Sequence, residues 1–197
     1  MGYAYDYSGM TREETGQGSQ IILIFLICLL FVYLLLSALY ESYILPWAVL
    51  ASLPVGLAGV FVFLEIFGAS HGIVNNIYVQ ISLIMLIGLL AKNAILIVEY
   101  AIQRRQQGQS IVEAAINGAV ARLRPILMTS FAFICGLLPL MFASGAGSIG
   151  NRSIGISAVG GMLVGTLIGV MVIPTLYILF QMLQERISGK KVKAAKK

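Results

Sequence analysis

Five long apolar stretches, each separated from the next by a few polar or glycine-rich positions, dominate the chain. Gln20 to Tyr40 holds no charge, and Leu45 to Phe67 is apolar apart from Glu65. Tyr78 to Gln103 is apolar except for Lys92 and Glu99, and both Pro125 to Ala143 and Ile154 to Leu183 are uncharged. A helix needs about 20 mostly apolar residues to cross the hydrocarbon core of a bilayer. The pattern therefore predicts an all-α integral membrane protein, a bundle of five transmembrane helices at about 20–40, 45–67, 78–103, 125–143 and 154–183. Pro125 opens the fourth span, where a proline is tolerated because the first helical N–H has no partner anyway.

The connections are short. Glu41 to Ile44 makes a tight turn, and Gly68 to Ile77, with Asn75 and Asn76, makes a polar loop. Ser144 to Ser153, which contains Gly145, Gly147 and Gly150, makes another. The longest connection is Arg104 to Arg124. Within it Ser110 and Glu113 have capping-box spacing, which predicts a short helix at the membrane interface from about Ile111 to Ala121. Residues 1–19 read as a polar segment leading into the first span, and residues 184–197 as a basic tail near anionic lipid headgroups.

Composition agrees. The chain has 197 residues, 59% hydrophobic and only 11% charged, against about 25% charged in soluble domains. That leaves too little polar surface to cover the molecule in water. Of the thirteen basic residues, ten lie in the 104–124 connection or in the tail from Arg186. A basic excess in short loops marks the cytoplasmic side. With five spans the termini lie on opposite sides, so the expected arrangement is multi-pass, N-terminus outside and C-terminus in the cytoplasm. Nucleic-acid binding is the weaker reading of the charge, because no folded basic domain is left to carry it. The N-terminus lacks the charged-then-apolar pattern of a signal peptide. Cys28 and Cys135 read as buried small hydrophobes. His71 is the single histidine, so no metal cluster, cofactor or enzymatic constellation is expected.

Lys92 carries the most information. It lies well inside the third span, where a lysine costs on the order of 2.5–3.5 kcal/mol. Such a group normally faces the bundle interior and pairs with something; the plainer alternative is a lysine snorkelling to the interface. Glu99, seven residues on, lies on nearly the same stripe but about 10 Å along the axis, too far for a direct pair. Asp6 is the only aspartate, and it lies outside the spans, so the chain offers no carboxylate at matching depth. Arg122, at the mouth of the fourth span, and Thr129, inside it, are seven apart. Taken alone they read rather as a membrane anchor and a hydroxyl bonded to its own helix. Gly161, Gly165 and Gly169 make two overlapping GxxxG steps with Gly160 beside them, and Gly56 and Gly59 are close in the second span. Such rows let helix backbones approach in lipid.

The stretch from Ala91 to Glu99, followed by Arg122 to Ser130, resembles the resistance-nodulation-division (RND) efflux transporters, hydrophobe/amphiphile branch. Ala38 to Ser42, Gly145 to Gly147 and Gly160 to Met162 fit the same resemblance, which covers about Tyr3 to Leu183. It corresponds to the last five of twelve transmembrane helices. The resemblance implies an inner-membrane, proton-coupled antiporter of amphiphilic drugs, trimeric, joined to a periplasmic adaptor and an outer-membrane channel. It further implies that Lys92 pairs with two aspartates on a helix of the N-terminal half, and that Arg122 and Thr129 complete the proton relay. Those aspartates are absent here, so the expected partner is an N-terminal RND half that carries them. The rival readings are a non-transporting scaffold or remnant that self-associates through its glycine-rich faces and, third, a small ion channel.

Overall fold

The computed structural model describes the backbone of residues 10–68, 73, 76–145 and 147–188, and the side chains among them from 21 to 186. Among these residues there is no strand. The helices are α1 (Met10–Tyr40), α2 (Leu45–Leu50), α3 (Leu53–Phe63), α4 (Ile77–Gln106), α5 (Ile111–Met141) and α6 (Ser148–Ser188), with one π-helical turn, Leu64–Gly68, continuing α3. Grouped by length and composition they make five helical segments able to cross a membrane: Ile21–Tyr40, Leu45–Gly68, Ile77–Gln106, Ile111–Met141 and Ser148–Arg186. The fold is the all-α, five-span bundle that the hydrophobic pattern predicts. Most of the lead-in segment and of the basic tail lies outside the described residues.

Two elements depart from expectation. The second span is broken. Pro54 brings no N–H and begins a new helix, as Pro46 does for α2, each in a first helical turn. At the break the Ser52 hydroxyl donates to the Val49 carbonyl at 2.6 Å, and the Ser52 N–H bonds the same oxygen at 3.1 Å. The second departure is a correction: the short interfacial helix expected from Ile111 to Ala121 is not a separate element. The capping box forms as its spacing implies, with Ser110 Oγ accepting from Glu113 N–H and Glu113 Oε2 accepting from Ser110 N–H, both at 3.2 Å. But the helix that it starts runs unbroken through Pro125 to Met141. A proline inside a helix deletes one backbone bond and strains the preceding turn; here that was not enough to divide an otherwise apolar, helix-favouring run.

The long helix α6 is the centre of the bundle and packs on α2, α3, α4 and α5. Its glycines explain how. A methyl group at Gly161 would run into Leu86 Cδ1 and lie 2.6 Å from Val60 Cγ2 and 3.3 Å from the Gly56 carbonyl oxygen. At Gly165 it would lie 2.5 Å from Leu90 Cδ2 and 3.1 Å from the Gly56 Cα. The α6 row thus meets the glycines of α3 face to face, with α4 closing over both. Gly169 differs: its nearest neighbour is Ile173 Cδ1 at 3.8 Å, on its own helix. Two buried polar pairs tie the helices across this core, Ser130 to Thr166 and Asn76 to Ser153, each at 2.9 Å. In a low-dielectric interior neither side chain of such a pair could stay unbonded cheaply.

Helix α1 stands apart. Of its described side chains only Leu36 is buried, and Ile22, Leu23, Phe31, Leu34 and Leu35 are among many left exposed. One end of the bundle gathers Tyr40, Gln106, Ser110 and Arg186. There Arg105 bonds Glu185 at 2.9 Å and joins α4 to α6; it is called the basic end below.

Candidate functional site

Lys92 leaves α4 on its outer flank and is exposed, while its neighbours Ala91, Asn93 and Ala94 are buried. It opens into an apolar groove of about 430 Å³ between α4 and α1, walled by Val32, Leu35, Leu36 and Leu39 on one side and by Gly88, Ile95 and Leu96 on the other. Among the described residues it meets no carboxylate, and Glu99 instead accepts a hydrogen bond from Gln103 Nε2 at 3.3 Å. An ammonium there is not neutralised by any described residue and is not folded into the core of the bundle.

Arg122 is held differently. Its guanidinium lies 5.0 Å above the Tyr100 ring, and Arg104 lies at the same distance from that ring. Arg104 also donates to the Tyr100 hydroxyl. One aromatic ring is therefore shared by two cations, an attraction that comes from the ring quadrupole. Arg122 Nε is buried with no hydrogen-bond partner among the described residues. Sequence reasoning missed Tyr100; the available signal was its spacing of four from Arg104, which puts the two on one helix face.

Thr129 is exposed on α5, and its hydroxyl donates to the Ile126 carbonyl at 3.0 Å. Gly118, which packs against the backbone of Ala101 and Ile97, sets the level of α5 against its antiparallel neighbour α4. Lys92 lies about seven residues beyond that level on α4 and Thr129 eleven beyond it on α5, so at 1.5 Å per residue Thr129 is about 6 Å deeper. Both are exposed on the surface of the bundle, with Arg122 nearer the basic end. The structure shows no contact among the three.

The five-span helical bundle, with Lys92 on its outer flank, is matched by a known family of membrane proteins. The chain belongs to the AcrB/AcrD/AcrF family of RND efflux transporters, whose family model matches residues 1–181. It is 42% identical over 177 residues to the toluene efflux pump membrane transporter TtgB of Pseudomonas putida, covering 90% of this chain and 16% of that one. It is 40% identical to the multidrug resistance protein MdtF of Escherichia coli, covering 94% of this chain and 18% of the relative. To the multidrug export protein AcrF, also of Escherichia coli, it is 40% identical, over 91% of this chain and 17% of the relative. The chain thus spans about a sixth of the length of the curated relatives it matches.

Proposed function

We propose that this chain is the C-terminal membrane portion of a proton-driven RND efflux pump, supplying the lysine, arginine and threonine of its proton relay for export of amphiphilic drugs. The observation that carries this reading is the placement of Lys92: deep along a membrane-length helix, on the outer flank, and unpaired among the described residues. An amine in that position needs a counter-ion, and the groove leaves it available to one from another helix. Two carboxylates on an N-terminal-half helix fit that need. With both ionised they hold the ammonium; protonating them removes the attraction, because a neutral carboxyl gives up most of its Coulomb energy. Helix halves bound through this pair would then shift, and that shift would drive transport rather than any catalysed reaction. Thr129, about one turn deeper on α5, would hand on a hydrogen bond, and Arg122 lies toward the basic end.

In this reading the basic end faces the cytoplasm and the protein spans the bacterial inner membrane, within a trimer joined to a periplasmic adaptor and an outer-membrane channel. The names of the relatives, a toluene pump and multidrug proteins, support amphiphilic cargo. A self-associating scaffold is less well served: the glycine face that it would need, Gly161 and Gly165, is already filled within the chain by α3 and α4.

The test is drug resistance in cells that make this chain together with the remainder of the transporter. Lys92→Met is expected to abolish resistance with the protein still present in the membrane, and Thr129→Val to reduce it. Resistance that survives Lys92→Met ends the relay assignment.

A further inference from the structure

The outer face of α5 carries an apolar track that neither the bundle core nor the Lys92 groove uses. Toward the basic end it opens as a depression of about 590 Å³, where Val120, Leu123, Leu127, Met128 and Phe131 surround Arg124. Leu127 and Phe131 also wall a narrower cleft of about 120 Å³, closed on its far side by Leu163 and Leu167 of α6. The two spaces share these residues and follow one line from Arg124 to Ile134. The two polar side chains in the cleft, Ser130 and Thr166, bond each other at 2.9 Å. What the cleft presents is therefore hydrocarbon.

Arg124 is exposed and makes no hydrogen bond or ion pair among the described residues. The carboxylates of Glu99, Glu113 and Glu185 are engaged elsewhere, with Gln103, the Ser110 N–H and Arg105. About 26 Å of helix separate Arg124 from Met141 at the far end of α5, against about 30 Å of hydrocarbon in a bilayer. The few ångströms that remain are within reach of its own side chain, which snorkels toward the basic end and sets the guanidinium at the level of lipid phosphates. From Arg124 to Ile134 the track runs about 15 Å, half the hydrocarbon thickness and so the depth of one leaflet.

We infer that the α5–α6 seam holds an anionic phospholipid, its phosphate on the Arg124 guanidinium and one acyl chain laid along Leu127, Phe131 and Ile134 against α6. The guanidinium fork matches phosphate oxygens two at a time and keeps its charge at any ordinary pH. A choline headgroup would set a second cation beside it; a glycerol headgroup would not. A free phosphate would meet the arginine but leave the track uncovered. Lys92, in its own groove between α4 and α1, takes no part, and Lys92→Met would leave the seam intact.

The experiment is tryptophan quenching of the full chain in phosphatidylcholine vesicles that hold a minority of lipid brominated midway along its chains, either phosphatidylglycerol or phosphatidylcholine. The reporter is Phe131→Trp, an exposed position on the seam, combined with Trp47→Phe. The parent chain, whose single tryptophan Trp47 is exposed on α2, reports the lipid around the bundle in general. The seam reporter should show about fivefold preference for brominated phosphatidylglycerol, the effect of one basic residue on an anionic lipid, and Trp47 should show none. Arg124→Gln, at an exposed and unbonded position, should abolish the preference. Equal quenching by the two lipids, the same preference at Trp47, a preference that survives Arg124→Gln, or one that millimolar inorganic phosphate erases would each overturn the assignment. So would loss of the preference once the chain is assembled with the remainder of an RND transporter, because a helix would then cover the seam.

Discussion

Replacing glycine by alanine at two positions on α6 should act with opposite sign. At Gly161 the added methyl runs into Leu86 Cδ1 and comes within 2.6 Å of Val60 Cγ2. Both neighbours are wholly buried, so neither can swing aside without moving the backbone of α3 or α4. Overpacking a close-packed core costs about 1–3 kcal/mol. At Gly169 the same methyl finds Ile173 Cδ1 at 3.8 Å, an ordinary contact. Alanine is also a better helix former than glycine by about 1 kcal/mol, but that gain is common to both variants. The difference between them therefore isolates the clash. For a chain of this size about 1 kcal/mol corresponds to roughly 2–4 °C in melting midpoint. Gly161→Ala should thus melt roughly 2–12 °C below Gly169→Ala, with Gly169→Ala at or above the parent. The assay is loss of far-UV ellipticity on heating the detergent-solubilised protein, checked by the monodisperse fraction that survives each temperature. Indistinguishable midpoints would refute the claim that these glycines are kept for backbone approach.

Four further outcomes are expected. Thr166→Val strands the Ser130 hydroxyl in the core and should cost about 0.6–1.7 kcal/mol, the range of interhelical hydrogen bonds in membranes; adding Ser130→Ala should cost little more, measured by the same melts. Glu185→Gln leaves Arg105 half-compensated at a site where both side chains are about 15% exposed, so a loss of about 1–3 kcal/mol is expected, against none measurable for the exposed Arg186→Gln. Tyr100→Leu removes the ring shared by Arg104 and Arg122 and should destabilise by about 1–2 kcal/mol, while Tyr100→Phe, which keeps the ring face, should retain most of that. Glu41, at φ 47°, holds a left-handed backbone at the end of α1; Glu41→Gly should raise the melting midpoint by relieving about 1–2 kcal/mol of strain.

The number and type of elements were legible because a bilayer imposes a one-dimensional rule. Every span must be about 20 apolar residues of helix with its backbone bonds closed internally, and that can be counted along the chain. The capping box at Ser110 was equally local and formed as its spacing implied. Local rules failed where two of them competed. Pro54 divided the second span, while Pro125 left α5 continuous, and the presence of a proline does not by itself distinguish the two outcomes.

Residue identity was enough to make Lys92 stand out, since a charge inside an apolar run is visible in the sequence itself; Arg122 and Thr129 stood out only through the family resemblance. Residue identity was also enough to mark two glycine rows as packing surfaces. Which row meets which belongs to the tertiary structure alone: that Gly56 lies against Gly161 and Gly165, that Arg122 crosses to Tyr100, and that Lys92 faces outward toward a groove rather than inward. So does the seam along α5, whose narrow end is closed by α6 and whose sequence spacing carries no signal. Helix content follows from neighbours a few residues apart, but the face that each helix turns to the others is set by contacts between positions far apart in the chain, such as Gly56 and Gly165, and these become visible only when the chain has folded.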